Sequence, residues 1–190
     1  MIINYNQKTI QVKLVYYGPA MSGKTTSLKY LFKKFNKTEE LTSIDTTTGR
    51  TLFFDFGSLN FKGSDWTIKI LMYSATGQDF YASTRPSTLT GADGIIFVAD
   101  STASLMEDNI QSWNELKGFF KEFNKVPIVI CLNKQDLPNP ISEDDLKKAI
   151  QLHEFENFKI YKTIATEGNG ILDSFKTMLG FIFKGIPISV

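Results

Sequence analysis

The spacing of two glycines, a lysine and a threonine near the N-terminus constrains this chain more than any other feature. Residues 18–25 read Gly-Pro-Ala-Met-Ser-Gly-Lys-Thr and match the pattern G-x-x-x-x-G-K-[ST]. The motif follows an apolar run, Val12 to Tyr17, and precedes a helical pattern beginning at Lys24, which is the context it requires. A loop of this length can surround a phosphate group with backbone N–H groups, and the helix N-terminus adds positive potential. The sequence therefore predicts a phosphate-binding loop (P-loop).

Side chains and amides of this loop are expected to contact a nucleotide. The Lys24 side chain should reach the β- and γ-phosphates, and the Thr25 hydroxyl should ligate Mg²⁺. The glycines permit backbone conformations closed to other residues and leave room for the phosphate. The predicted nucleotide-contacting residues of the segment are Gly18, Ala20, Met21, Ser22, Gly23, Lys24, Thr25 and Thr26.

A second motif predicts which base the nucleotide carries. Asn133-Lys-Gln-Asp136 follows an apolar strand-like run and has the form N-K-x-D, the guanine-recognition motif of Ras-like and translation-factor GTPases. The Asp136 carboxylate can accept hydrogen bonds from guanine N1–H and its 2-amino group, which adenine does not offer in that geometry. Asn133 can bond the base or tie loops together, and the stem of Lys134 can cover the ring. Ala165 and Thr166 follow the last predicted strand and resemble the loop whose N–H contacts guanine O6.

Strand-like runs alternate with helical stretches along the whole chain. This alternation predicts an α/β fold with a mainly parallel sheet. The two motifs resemble those of Ras-like GTPases, which implies a three-layer P-loop NTPase of the Ras-like G-domain type, as one domain over residues 1–190. We expect about five helices, one of them opened by a capping box at Ser142 and Asp145. We also expect a six-stranded, mostly parallel sheet with one antiparallel strand, formed by residues 12–17, 51–61, 66–73, 94–100, 126–132 and 158–163.

The segment Ser74-Ala-Thr-Gly77-Gln78 resembles the Asp-x-x-Gly-Gln segment of Ras-like proteins, but serine replaces the aspartate. By that resemblance, Gly77 gives its N–H to the γ-phosphate and Gln78 orients the attacking water. The aspartate normally holds a water in the Mg²⁺ shell. A serine hydroxyl can still hold that water but brings no charge, so we expect metal binding to survive in weaker form.

Composition excludes several other classes of function. The 190 residues carry a net charge of +1, which gives no general attraction to nucleic acid or to an anionic membrane. One cysteine and one histidine make a zinc site implausible, and Cys131 is expected to be a buried thiol in a reducing compartment. No signal peptide, membrane span or lipidation motif is evident. We therefore predict a cytoplasmic location without a direct lipid anchor.

The chain closely resembles the MglA family, the prokaryotic Ras-like GTPases of cell polarity and gliding motility. The likeness covers most of residues 11–183, and the segment Gly49-Arg-Thr-Leu-Phe-Phe-Asp-Phe56 carries its most specific part. The serine at position 74 also fits, since MglA-like proteins lack the aspartate there. The other matching segments are 15–19, 23–26, 77–81, 93–101 and 133–138.

The resemblance implies roles for the segment before the second strand. Arg50 looks like a built-in arginine finger that neutralises charge on the γ-phosphate. Thr51 looks like the threonine that meets Mg²⁺ and the γ-phosphate, with the threonines at 46–48 as competitors. Family members change the register of the strand holding residues 51–56 when GTP binds. Their usual activator is a roadblock-type (MglB-like) dimer, and residues 78–90, with Phe80, Tyr81 and Arg85, are the expected contact surface.

Three functions remain open from the sequence. The first is a GTP/GDP molecular switch that hydrolyses GTP slowly without an activating partner and acts through effectors. The second is a nucleotide-dependent binding module with little hydrolysis, which Ser74 keeps open. The third is an adenine-specific P-loop enzyme, against which Asn133 and Asp136 argue.

Overall fold

A computed structural model describes residues 1–42, 54–77, 83–120, 126–155 and 158–184 of the chain. These residues form one mixed β-sheet with helices on both faces. The strands are β1 (Ile2–Asn4), β2 (Thr9–Tyr17), β3 (Leu41–Thr42), β4 (Phe54–Lys62), β5 (Thr67–Ala75), β6 (Gly94–Asp100), β7 (Ile128–Asn133) and β8 (Phe158–Thr163). The α-helices are α1 (Lys24–Lys34), α2 (Arg85–Leu89), α3 (Met106–Gly118), α4 (Glu143–Ala149) and α5 (Ile171–Ile182).

The strands lie in the order β3-β4-β5-β2-β6-β7-β8. Strands β5, β2, β6, β7 and β8 pair in parallel, and β4 pairs antiparallel with β5. β1 pairs antiparallel with residues 9–11 of β2. It lies on the same side of β2 as β6, which pairs with residues 14–17. The expected mostly parallel sheet is confirmed, and two short strands, β1 and β3, are added to the six predicted ones.

Alternation along β2 divides the core into two layers. Leu14 and Tyr16 pack with α1 and α5 on one face, while Val15 and Tyr17 pack with α3 on the other. All residues of β6 and β7 are buried, as expected for central parallel strands covered on both faces. Cys131 lies in β7 and is fully buried, as the sequence predicted, and burial raises the pKa of its thiol to about 12.

Local signals explain most element boundaries. The Ser142 side chain accepts a hydrogen bond from the backbone N–H of Asp145 at 3.1 Å, so the predicted N-cap of α4 is present. The hairpin between β4 and β5 closes with a hydrogen bond from Gly63 N to Trp66 O at 2.8 Å. The expected strand over residues 51–61 is described from Phe54, since 51–53 lie outside the described residues.

The short strands β1 and β3 were not predicted, because neither has a pattern of its own. β1 consists of three exposed residues, and β3 of the partly buried Leu41 and the exposed Thr42. Each pairs with a longer neighbouring strand. Within the described residues, no helix has the length and apolarity that crossing a lipid bilayer requires.

The sheet order brings several loops to one edge. The chain passes from β2 to β4 and β5 on one side of β2, and continues with β6 on its other side. In open α/β sheets, such a reversal leaves a crevice beyond the carboxyl ends of the strands, where ligands bind. The loops after β2, β5, β7 and β8 all leave the sheet at this edge.

Replacing Trp113 of α3 tests how much the packing of this helix against the sheet contributes to the free energy of unfolding. Its ring is fully buried and makes edge-to-face contacts with Phe97 at 5.1 Å and Phe155 at 5.6 Å between centroids. Trp113→Ala should lower the free energy of unfolding by about 3–5 kcal/mol, and Trp113→Phe by less. Urea unfolding followed by circular dichroism measures both, with the partly exposed Trp66→Ala as the control with the smaller expected loss.

Candidate nucleotide-binding site

The predicted P-loop joins the end of β2 at Tyr17 to the start of α1 at Lys24. Gly18 has φ +143° and Gly23 φ +106°, both in the region that favours glycine. A Cβ on Gly18 would lie 2.2 Å from the carbonyl oxygen of Val98, and one on Gly23 2.2 Å from Nδ2 of Asn133. Both glycines are therefore required by backbone conformation and by close packing.

The Lys24 ammonium group folds back over the loop. Its Nζ donates to the carbonyl oxygens of Gly18 at 2.9 Å and Pro19 at 2.6 Å, and the residue is 6% exposed. Burial, followed by the nearby Arg85 guanidinium, lowers the pKa of Lys24 to about 7, while Asp55 opposes this shift. A polyanionic ligand at this loop would supply the negative charge that favours the protonated lysine.

The remaining P-loop residues fit a phosphate group. The Ser22 hydroxyl is fully buried and, within the described part of the chain, has no hydrogen-bond partner. A phosphate oxygen could provide one. Ala20 and Met21 are exposed at the outer turn, while Thr25 and Thr26 in the first turn of α1 are partly exposed and accessible to a ligand.

Asn133 ties the loops of this edge together. From the end of β7, its Nδ2 donates to the carbonyl oxygen of Ser22 at 2.8 Å, across 111 residues of sequence. Its Oδ1 accepts hydrogen bonds from Ala165 N at 2.9 Å and from Thr163 Oγ1 at 3.1 Å. Of the two roles left open by the sequence, the structure gives Asn133 the tie between loops.

The other residues of the predicted base site surround Asn133. Lys134 has φ +67°, and its Nζ forms an ion pair with the buried Asp100 at 2.5 Å. Asp136, two residues after Lys134, is exposed, so its carboxylate is accessible to a ligand. Ala165 is buried and Thr166 is exposed.

Gly77 lies directly against the P-loop. A Cβ on Gly77 would be 2.4 Å from the backbone nitrogen of Ala20, so glycine is required here by close approach of two backbones. This contact places the Gly77 backbone beside the loop, where the sequence expects a γ-phosphate contact. Ser74 precedes it at the end of β5 and is buried.

The sequence reasoning missed Asp55, which lies in β4 and is fully buried. Its Oδ2 accepts a hydrogen bond from the hydroxyl of Thr25 at 2.6 Å. A signal was present, since an aspartate between Phe54 and Phe56 is unusual in an apolar strand. No local pattern says that this position faces the first turn of α1.

Arg85 is buried, although the sequence predicted it on an exposed surface that contacts a partner. It is 6% exposed, its Nε donates to the carbonyl oxygen of Thr76 at 3.0 Å, and its Nη1 pairs with Glu115 at 2.5 Å. Glu115 also accepts from the hydroxyl of Tyr17 at 2.8 Å. Arg85 therefore links the segment before Gly77 to α3 and cannot provide an exposed contact.

A cavity of about 370 Å³ adjoins the outer side of the P-loop. Its lining includes Ala20, Met21, Gly77, Arg85 and Glu115. Space therefore remains beside the loop on the side of α3.

Several predicted residues lie outside the described residues. They are Arg50 and Thr51 with the competing threonines at 46–48, and Gln78 with Phe80 and Tyr81. The predicted register shift of residues 51–56 also falls partly there. In the described portion, Phe54 pairs with Ala75 and Asp55 with Ser74.

The sequence of the chain also matches a known protein family. A profile of the ADP-ribosylation factor family matches residues 1–182. The chain belongs to the ADP-ribosylation factor family of small GTPases. As a member of that family, it is a GTP/GDP switch that hydrolyses GTP.

Two individual relatives resemble this small GTPase over most of its length. It is 38% identical over 183 residues to the mutual gliding-motility protein MglA of Myxococcus xanthus, covering 93% of this chain and 92% of the relative. It is 31% identical over 169 residues to the ADP-ribosylation factor-like protein 6 of Caenorhabditis elegans, covering 84% and 80% respectively. The predicted resemblance to MglA-type small GTPases is therefore confirmed.

Replacing Asn133 tests whether its side chain holds the site together. Asn133→Ala leaves the buried Ser22 carbonyl and Ala165 N–H without this partner, at a cost of about 1–3 kcal/mol for each group. The affinity for GDP should fall more than about tenfold, with a lower free energy of unfolding. Titration with fluorescent GDP and urea unfolding measure the two effects.

The control for this prediction is Asn169→Ala, which removes an exposed side chain bonded only to nearby Glu167 in the described contacts. It should leave GDP affinity and stability close to those of the unchanged protein. Equal GDP affinity in Asn133→Ala and the control would contradict the tying role.

Proposed function

We propose that this small GTPase binds guanine nucleotide at the edge formed by the P-loop, Gly77, and the loops after β7 and β8. The observation that carries the proposal is the Lys24 ammonium group, which is held by the carbonyls of its own glycine-bounded loop. The phosphates would lie on the amides of residues 18–26. The base would lie between Lys134, Asp136, Ala165 and Thr166, and the whole chain would act as one G domain.

Base selection would depend on Asp136. Its carboxylate accepts from N1–H and the 2-amino group of guanine, and hydrogen bonds to a charged group are among the stronger ones in proteins. The stem of Lys134 would cover the ring, while its ammonium pairs with Asp100. GTP should therefore outcompete ATP by several orders of magnitude, a result that would exclude the adenine-specific alternative.

The base contact can be tested with inosine diphosphate, which lacks only the 2-amino group of GDP. The unchanged protein should prefer GDP by about ten- to a hundredfold, the value of the one hydrogen bond between the 2-amino group and the carboxylate. In Asp136→Ala, the GDP affinity should fall and the preference should disappear. Competition against fluorescent GDP measures both ratios.

Asp144→Ala is the matched control, because Asp144 is an exposed carboxylate in the first turn of α4. It should retain the preference for GDP over IDP. An unchanged preference in Asp136→Ala would exclude the carboxylate as the group that reads the base.

A Mg²⁺ ion would be held by the hydroxyls of Thr25 and Thr51 together with nucleotide phosphates and water. The ion supplies positive charge that neutralises the phosphate oxygens. Thr25 is in the required position after Lys24, and the residue is partly exposed. The threonines at 46–48 remain alternatives to Thr51. Among the described residues, no group of three or more histidine, cysteine, aspartate or glutamate side chains could bind a metal by itself.

For hydrolysis, we propose that Gln78 orients the attacking water and Arg50 neutralises charge on the γ-phosphate. Gly77 would donate its N–H to the same phosphate from its position against the P-loop. Hydrolysis would be slow until both side chains are ordered together, which an activating protein would promote.

Gln78→Leu and Arg50→Ala test these roles. Each should lower the single-turnover rate of GTP hydrolysis by at least about tenfold while nucleotide affinity changes little, because the contacts form in the transition state. Gln7→Leu, at an exposed N-terminal turn, is the control. Unchanged hydrolysis in both variants would remove the assignment and favour a binding module with little turnover.

We further propose that the switch controls cell polarity, motility or intracellular organisation through effectors. Support comes from the resemblance to the MglA family and from the 38% identity to a gliding-motility protein. A roadblock-type (MglB-like) dimer is the proposed activator. It would contact residues 78–90, where the side chains of Ser83, Pro86 and Ser87 are exposed although Arg85 is not.

We propose a cytoplasmic protein that has no nucleic-acid partner. The supporting observations are a net charge of +1 and the buried free thiol of Cys131, which fits a reducing compartment.

A further inference from the structure

A carboxylate lies directly across from the position where the sequence lacks one. Asp55 in β4 pairs with Ser74 in β5 in the antiparallel register. Paired residues in antiparallel strands project to the same face of the sheet, with Cβ atoms about 4.5–5.5 Å apart. An acidic side chain at 55 can therefore reach much of the space that an acidic side chain at 74 would occupy.

Asp55 contacts the residue expected to ligate the metal. The Thr25 hydroxyl donates its hydrogen to Oδ2 of Asp55 at 2.6 Å. A hydroxyl that donates to a carboxylate keeps its oxygen lone pairs for another partner and is held in one rotamer. Carboxylates that orient a metal ligand in this way also increase its electron density.

The surroundings of Asp55 suit a cation. The side chain is fully buried, and a buried carboxylate is unfavourable without compensating charge and hydrogen bonds. Lys24 is near enough for Asp55 to favour its protonated form. A divalent ion beside Thr25 would add positive charge close to the same carboxylate.

We propose that Asp55 provides the carboxylate of the magnesium site that Ser74 lacks, so that this charge comes from β4 instead of β5. The inference rests on the proposed nucleotide and Mg²⁺ site. Asp55 is a positioning residue for Thr25, and its charge raises the affinity of the nucleotide-bound site for Mg²⁺.

The test uses the full chain loaded with fluorescent GDP. Dissociation of the nucleotide is followed while free Mg²⁺ is varied, and Mn²⁺ binding to the GDP complex is followed by electron paramagnetic resonance. In Asp55→Asn, the Mg²⁺ concentration that half-maximally slows dissociation should rise at least about tenfold, the value of one charge-assisted contact. Dissociation in excess chelator should match that of the unchanged protein, and Mn²⁺ affinity should fall in parallel.

A second variant separates lost charge from damaged structure. Adding Ser74→Asp to Asp55→Asn returns a carboxylate on the neighbouring strand and should restore most of the Mg²⁺ dependence. Ser74→Ala alone should raise the required Mg²⁺ concentration much less than Asp55→Asn does, since the proposal assigns the negative charge to Asp55.

The outcomes distinguish this inference from the proposed function. If the unchanged protein binds no guanine nucleotide in chelator or in Mg²⁺, the proposed function fails. If it binds and Asp55→Asn shows the same Mg²⁺ dependence, only the role of Asp55 fails. Equal weakening of GDP with and without Mg²⁺, with no rescue by Ser74→Asp, would also overturn it by indicating a merely structural aspartate.

Discussion

The candidate site depends on one side chain that joins three separate loops. Asn133 donates to the P-loop at Ser22 and accepts from the loop after β8 at Ala165 and from Thr163. The residue is almost fully buried, so each of these groups would be costly to leave without its partner. The P-loop and the loop proposed to contact the base therefore hold fixed positions relative to each other, because Asn133 bonds to both.

The sheet provides the rigid support for this contact. β6 and β7 are buried along their whole length, and β2 lies where the direction of chain progression reverses. Loops at the carboxyl ends of such strands are held by a closely packed core and can carry precise polar geometry. Arg85 extends the support outward, because it joins Thr76 and Glu115 across the edge of the site. The segment before Gly77 is thereby connected to α3.

The candidate site contains the buried charged side chains of Lys24, Arg85 and Asp55. Lys24 and Arg85 are both buried, and their proximity helps lower the lysine pKa to about 7. Asp55 is buried in β4, and its carboxylate accepts a hydrogen bond from the Thr25 hydroxyl. Nucleotide phosphates and Mg²⁺ would balance these charges in a low-dielectric setting, where each interaction is stronger than in water. Under the proposal, this balance would let a chain with Ser74 in place of aspartate hold Mg²⁺.

By itself, the sequence determined the strand–loop–helix at residues 12–34, the guanine motif, the six main strands and the family, because each is a local pattern or a fixed spacing. Only the tertiary structure decided what Asn133 bonds, that Arg85 is buried, and that Asp55 lies opposite Ser74. These facts depend on strand register and on contacts between residues far apart in the chain. Periodicity shows that a side chain faces a core, but packing decides which distant group it meets there.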